Sequence, residues 1–276
     1  MSRDGKTTIM DKPRAFTPLE IKIRNRKISN RVPKGFLTGF TLVELLVVIA
    51  IIALLMAILM PTLKKAKEQA KAIVCQANLR QWGLVWAMYT EANDDTFPDM
   101  VGPMWMDFVR EYYAGVDELL FCPMTRKTLD EGASPTYAVI ESGGRRVGSY
   151  AMNEWIYNED SASGGRSLDD YWRNTNNKGL NNIPVMGDAW LRPDTQPNDT
   201  DEPPEFEGQP RTGMYNNEMR LYCIPRHGNA VNILFLDWST RKVGLKGLWR
   251  LKWHRSFNVS AHPPVWPQWM SGFKEP

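Results

Sequence analysis

From Leu42 to Leu59 every position is apolar except Glu44. A run of about 18 such residues is the length of a bilayer-spanning helix. Pro61 removes one backbone donor and predicts a kink there, not an end. The following stretch, KKAKEQAKAIVCQANLRQWGLVWAMYTEAN, is rich in helix formers. Ile73, Ala77, Leu84 and Met88, with Val74 and Val85 beside them, recur at helical spacing. This stripe is expected to dock the second half of the helix onto a globular head, with Trp82, Trp86 and Tyr89 broadening the face. Asn93-Asp94-Asp95 and Pro98 end the helix, so one helix of about 80 Å is expected from Phe40 to about Ala92.

Beyond Asn93 the periodicity changes. Met104–Tyr113 reads as a short helix, and Leu119–Cys122 as a strand closed by Pro123. Gly148–Glu154 begins another strand, Ile183–Gly187 is a short buried one, and Val231–Asp237 has the apolar density of a central strand. Arg241-Lys242-Val243 returns beside it. Ser161–Gly165 and Asn174–Asn182 are turn-rich, and Arg192–Arg211 reads as a mobile, exposed Pro/Asp/Glu loop. The expected fold is α+β, a long N-terminal helix carrying a β-rich, loop-rich head. The expected divisions are 1–39 as a basic leader, 40–61 as the membrane half of the helix, 62–92 as its docked continuation, and 93–276 as the head.

Charge sharpens this division. The chain carries +3 over 276 residues, yet the ten basic and three acidic residues before Phe40 give that leader +7, leaving −4 for the rest. A nucleic-acid partner inferred from the overall basicity is therefore excluded. Basic flanks stay cytoplasmic, which puts the leader inside and the head outside. Lys64, Lys65, Lys67 and Lys71 suit a solvated turn leaving the bilayer.

A lone carboxylate in such a helix is costly, about 2.5–3.5 kcal/mol at mid-membrane for a charged side chain and less near an end. Gly39-Phe40-Thr41-Leu42-Val43-Glu44 after a basic leader resembles the signal of type IV prepilins and type II secretion pseudopilins. The resemblance implies cleavage by a prepilin peptidase between Gly39 and Phe40, N-methylation of Phe40, and pairing of Glu44 with the Phe40 amine of a neighbouring subunit. Pro61 fits the same pattern. A secretory signal peptide is the poorer reading, since its apolar core is shorter and a small-residue cleavage site follows it. A plain membrane anchor is the other alternative.

Arg226–Trp238 is similar to the H-x9-DG element of many prepilin-type proteins, with His227 and Asp237 in place but Trp238 where that element has glycine. Gln76–Tyr89, Cys122-Pro123 and Ser149–Asn153 look like the same subgroup. His227 and Asp237 flank one strand and lack a nucleophile motif, so a structural role for Asp237 in its own turn is expected rather than catalysis. Cys75, Cys122 and Cys223 allow one disulfide at most, with Cys75–Cys122 the expected pair and buried free thiols the alternative. Their spacing matches no zinc pattern, so no metal is expected. Asp199, Asp201 and Glu202, with Asn198, offer oxygen donors for a weak calcium candidate, against the default of a solvated loop. Trp190, Trp249, Trp253, Trp266 and Trp269 could form a sugar platform, although Trp is more often core.

Two functions follow. The first is a non-catalytic pseudopilin or minor pilin, needing no cofactor, anchored once in the bacterial inner membrane with its head in the periplasm. It joins other pilin or pseudopilin subunits in a type II secretion or type IV pilus-like filament. The alternative is a pilin-anchored glycan-binding or adhesive module that needs no assembly.

Overall fold

The computed structural model describes residues 40–99, 104–113, 116–159, 167–211, 213, 215–261 and 265–275. The expected leader, including Gly39, and the Ser161–Gly165 turn lie outside them. The chain divides into two compact units, Met1–Ile52 and Ala53–Pro276.

The described part of the first unit is the start of helix α1, which runs Leu42–Ala92. Its entry is a reciprocal cap. The Thr41 hydroxyl accepts the Glu44 amide at 3.2 Å, while the Glu44 carboxylate accepts the Thr41 amide at 2.8 Å and hydroxyl at 2.7 Å. Thr-x-x-Glu is the sequence signature of this capping box. The large apolar side chains from Leu42 to Ile52 are 45–79% exposed, so in the chain alone this surface has nothing to bury against.

In the second unit α1 continues through Pro61, whose missing N–H leaves the carbonyl one turn back without its usual donor. Cys75, Asn78, Leu79, Trp82, Gly83, Val85, Trp86 and Thr90 are its buried residues. This differs from the expected docking stripe. Ile73, Val74, Leu84 and Met88 are 44–67% exposed, and of that set Val85 is buried. The tryptophans decide the rotation of the helix, because each buries far more area than an Ile or Leu. Trp82 also finds an acceptor inside, donating from Nε1 to the Leu119 carbonyl at 2.8 Å. The helix ends where Asp94 and Asp95 take left-handed φ values of 53° and 60°, and the Asp95 amide reaches back to Thr90 O.

Helix α2 (Trp105–Phe108) is shorter than the Met104–Tyr113 expectation and continues as turns. Leu119–Cys122 is not a strand. Asp117–Leu120 is a 3-10 turn, because the Leu119 carbonyl is taken by Trp82 and that of Leu120 by the Ser149 amide. A hairpin of β1 (Ile140–Ser142) and β2 (Arg145–Gly148) precedes the main sheet.

That sheet contains β3 (Tyr150–Asn153), β4 (Pro184–Asp188), β5 (Asp194–Thr195), β6 (Ala230–Phe235) and β7 (Thr240–Gly244), in the order β5-β3-β4-β6-β7. All pairings are antiparallel except β3 with β5. The α+β class therefore holds. Strands β4 and β6 are buried at every position, which explains why their sequences read as apolar runs rather than alternations. Asn232 and Leu234 on β6 meet α1. The Asn232 side chain donates to Ala72 O at 3.3 Å, and a Cβ on Gly83 would lie 3.0 Å from Leu234 Cδ1.

The Arg192–Arg211 loop departs from expectation in the same direction. Thr195, Gln196 and Asp201 within it are buried. Asp201 accepts backbone amides from Asn198, Asn217 and Met219, all at 2.9–3.0 Å. Glu218, also buried, accepts from Arg211 at 2.9 Å and from the Gln196 amide at 2.5 Å. Two interior carboxylates thus hold a segment whose composition looks solvated.

Candidate functional site

Two places among the described residues carry chemistry. The first is the entry to α1. Phe40 is 69% exposed directly before the cap, and Glu44 is the single acid in the run that follows. Its carboxylate bonds only its own Thr41 among the described residues. One helix in the described chain is long and apolar enough to cross a membrane, compatible with a single-pass anchor.

The second place lies inside the second unit. Asp188 ends β4, where its carboxylate is wholly buried and meets three nitrogen donors. Arg226 Nη1 approaches Oδ1 at 3.2 Å, His227 Nε2 approaches Oδ2 at 3.1 Å, and the Asn232 amide donates to Oδ2 at 2.8 Å. The guanidinium is satisfied elsewhere too, by Thr136 O and Ser149 O at 2.7 Å and Ala189 O at 2.8 Å. It therefore ties its own loop to three other segments. Burial alone would raise the Asp188 carboxyl, but His227, Arg226 and the Asn232 amide outweigh it and hold the group at about 2. Burial likewise works against charge on His227, yet Asp188 lifts that imidazole to about 9.

Two thiols complete the cluster. Cys75 Sγ lies 3.5 and 3.6 Å from the two Asp188 oxygens and accepts from Tyr150 Oη at 3.4 Å. Cys122 Sγ lies 3.5 Å from His227 Nε2. Burial, then the neighbouring Cys122, pushes the Cys75 thiol well above its usual range. Both cysteines are free thiols, as is Cys223. The expected Cys75–Cys122 disulfide is corrected accordingly: the pair is brought within 4.8 Å, but unbonded, which matches the alternative of buried free thiols. One donor atom from each of Cys75, Cys122, Asp188 and His227 lies within 4.8 Å of every other. His227 Nδ1 has no partner among the described residues.

The other sequence candidates separate. Asp237 caps its own turn, accepting the Ser239 amide at 3.0 Å, while His227 turns to Asp188. Trp238 holds φ 63°, a left-handed backbone that explains why glycine suits that place. The calcium candidates do not converge. Asp201 is filled by three amides, Asp199 accepts the Asn258 amide, and Glu202 points toward Arg220 at 3.8 Å. Trp190, Trp249 and Trp253 are core, and Trp266 and Trp269 pack half-buried against it, which removes the sugar platform.

Sequence reading missed Asp188 and Arg226. Their signal was an acid closing a wholly apolar strand and a cation just before another.

Residues 38–60 match the family model of the prokaryotic N-terminal methylation motif, consistent with a type IV pilin-like protein. The match does not reach the H-x9-DG-like segment. No curated protein and no solved structure matches the chain.

Proposed function

We propose that this chain is a non-catalytic pilin-like subunit, a pseudopilin or minor pilin. Prepilin peptidase cuts it between Gly39 and Phe40, and its helix packs with those of other subunits in a type II secretion or type IV pilus-like filament. The head lies on the far side of the inner membrane from the leader. The observation that carries this reading is Glu44, the one acid in the exposed apolar run Leu42–Leu59, four residues after Phe40 and inside the matched motif. A carboxylate there is best tolerated beside a cation, and the amine of a neighbouring subunit's Phe40 supplies one. The exposed stripe Ile73, Val74, Ala77, Leu84 and Met88 adds support. It carries exposed apolar surface past the lipid-length run, which packing against another subunit would cover.

Two substitutions separate capping from charge. Glu44→Gln keeps an acceptor for the Thr41 cap but loses the charge; Glu44→Ala loses both. Both variants are expected to be cleaved to an N-methylated Phe40, seen by mass spectrometry, and both are expected to drop out of sheared filament fractions. An intact leader in the wild-type chain, or filaments that take up Glu44→Gln normally, would overturn the reading.

A further inference from the structure

We propose that Cys75, Cys122, Asp188 and His227 form a closed tetrahedral zinc site that clamps helix α1 to the sheet. The donor set is two sulfurs, one imidazole nitrogen and one carboxylate oxygen, a combination that suits zinc. Zinc–ligand bonds of about 2.0–2.3 Å place tetrahedral neighbours about 3.3–3.8 Å apart. The separations are 3.5 Å for Cys122 Sγ to His227 Nε2, 3.5–3.6 Å for Cys75 Sγ to Asp188, and 3.1 Å for His227 Nε2 to Asp188 Oδ2. The remaining pairs stay within 4.8 Å. An Asp–His–Arg network needs no sulfur, so it leaves unexplained why two thiols aim at the same point.

Charge and second-layer contacts agree. Two thiolates and one carboxylate around a divalent cation leave one negative charge, which the buried Arg226 cancels. Arg226 on Oδ1 fixes the carboxylate so that Oδ2 is the ligand oxygen, and outer partners of this kind orient metal ligands. His227 Nδ1 has no partner among the described residues. With Nε2 on a metal, Nδ1 carries the proton and lacks the outer acceptor that metal-ligating histidines usually have, so Arg226 on Asp188 is the second-layer contact that supports the site. A cleft of about 300 Å³, lined by His227 and Arg226 with Lys65, Glu68 and Tyr137, opens beside the cluster.

The sequence spacing argued against zinc because short ligand intervals belong to small modules that fold around the ion. Here Cys75 and Asp188 are 113 residues apart and Cys122 and His227 are 105 apart. The sheet brings them together, and the metal would lock four distant segments.

The test uses the full-length chain purified in detergent without chelator. Metal analysis is expected to find ~1 zinc per chain, with a drop of about tenfold or more in Cys75→Ser/Cys122→Ser. Because that variant can misfold, the wild-type chain is also stripped and reloaded with cobalt(II). A thiolate-to-cobalt charge-transfer band with intense tetrahedral visible bands is expected. Wild-type zinc content no higher than the variant's, absence of the charge-transfer band, or a Cys75–Cys122 disulfide in fresh protein would each overturn the proposal.

Discussion

Glu44 and Asp188 are both acids beside apolar runs, and they are handled in opposite ways. Glu44 heads an exposed apolar helix and makes only a local cap to a residue three positions away. Asp188 ends a strand buried at all five positions and is held by groups 38–44 residues further along the chain. The first arrangement leaves a charge and an apolar surface open to another molecule. The second satisfies its charge inside the fold. An acid in an apolar setting therefore marks assembly in one region and internal organisation in the other, and what separates them is whether the partner is intramolecular.

The strongest way to break this contrast is Asp188→Ala, which strands Arg226 and His227 in the core. A loss of about 3–5 kcal/mol is expected, read by urea unfolding of the full-length chain through tryptophan fluorescence. A loss under about 1 kcal/mol would show that Asp188 is not the anchor. Two leucines of α1 sharpen the contrast within one helix. Leu79, fully buried, should cost about 2–5 kcal/mol on conversion to Ala, whereas exposed Leu84 should change stability within about 0.5 kcal/mol and weaken filament incorporation instead.

Asp201 supplies a third case, a buried acid with amide donors but no ion pair among the described residues. Burial raises its carboxyl to about 6 from 3.8. The folded state then holds a proton that the unfolded state releases, so its contribution is full below pH 3.8 and is lost as pH rises through 6. On the order of 3 kcal/mol is expected over that window. Asp188 has the opposite sign, its contribution present above pH 3.8 and lost as pH falls toward 2. Asp194 is raised by burial to about 6 as well and titrates over the same window, so Asp201→Asn should remove about half of the slope between pH 4 and 6, whatever that variant's absolute stability. An unchanged slope would assign the window to other groups. The smallest effect on unfolding belongs to Glu44→Gln, which should leave the denaturation midpoint of the head where it was while removing the chain from filaments.

Legibility followed the range of the interactions. The long helix, its end near Ala92, β4, β6, β7 and the exposed entry with Glu44 could all be read from neighbouring residues. The face of α1 that docks could not, because periodicity alone does not say which of two stripes wins. Trp82 and Trp86 won on buried area and on the Leu119 carbonyl. Leu119–Cys122 looked like a strand until its carbonyls were claimed by Trp82 and Ser149. The Arg192–Arg211 loop looked solvated because its composition hides that Asp201 and Glu218 point inward.

By itself the sequence determined what depends on contiguous residues: an apolar run of lipid length, a Thr-x-x-Glu cap, a matched N-terminal motif and the strands that are apolar throughout. The sequence pointed to Cys75 and Cys122 as neighbours, but tertiary structure alone brought Asp188, Arg226 and His227 to them. Together these groups come from one helix, one strand end and two loops, at separations where no local pattern survives. The physical reason is that hydrophobic burial is written position by position, while a buried charge takes its partners from wherever the fold delivers them.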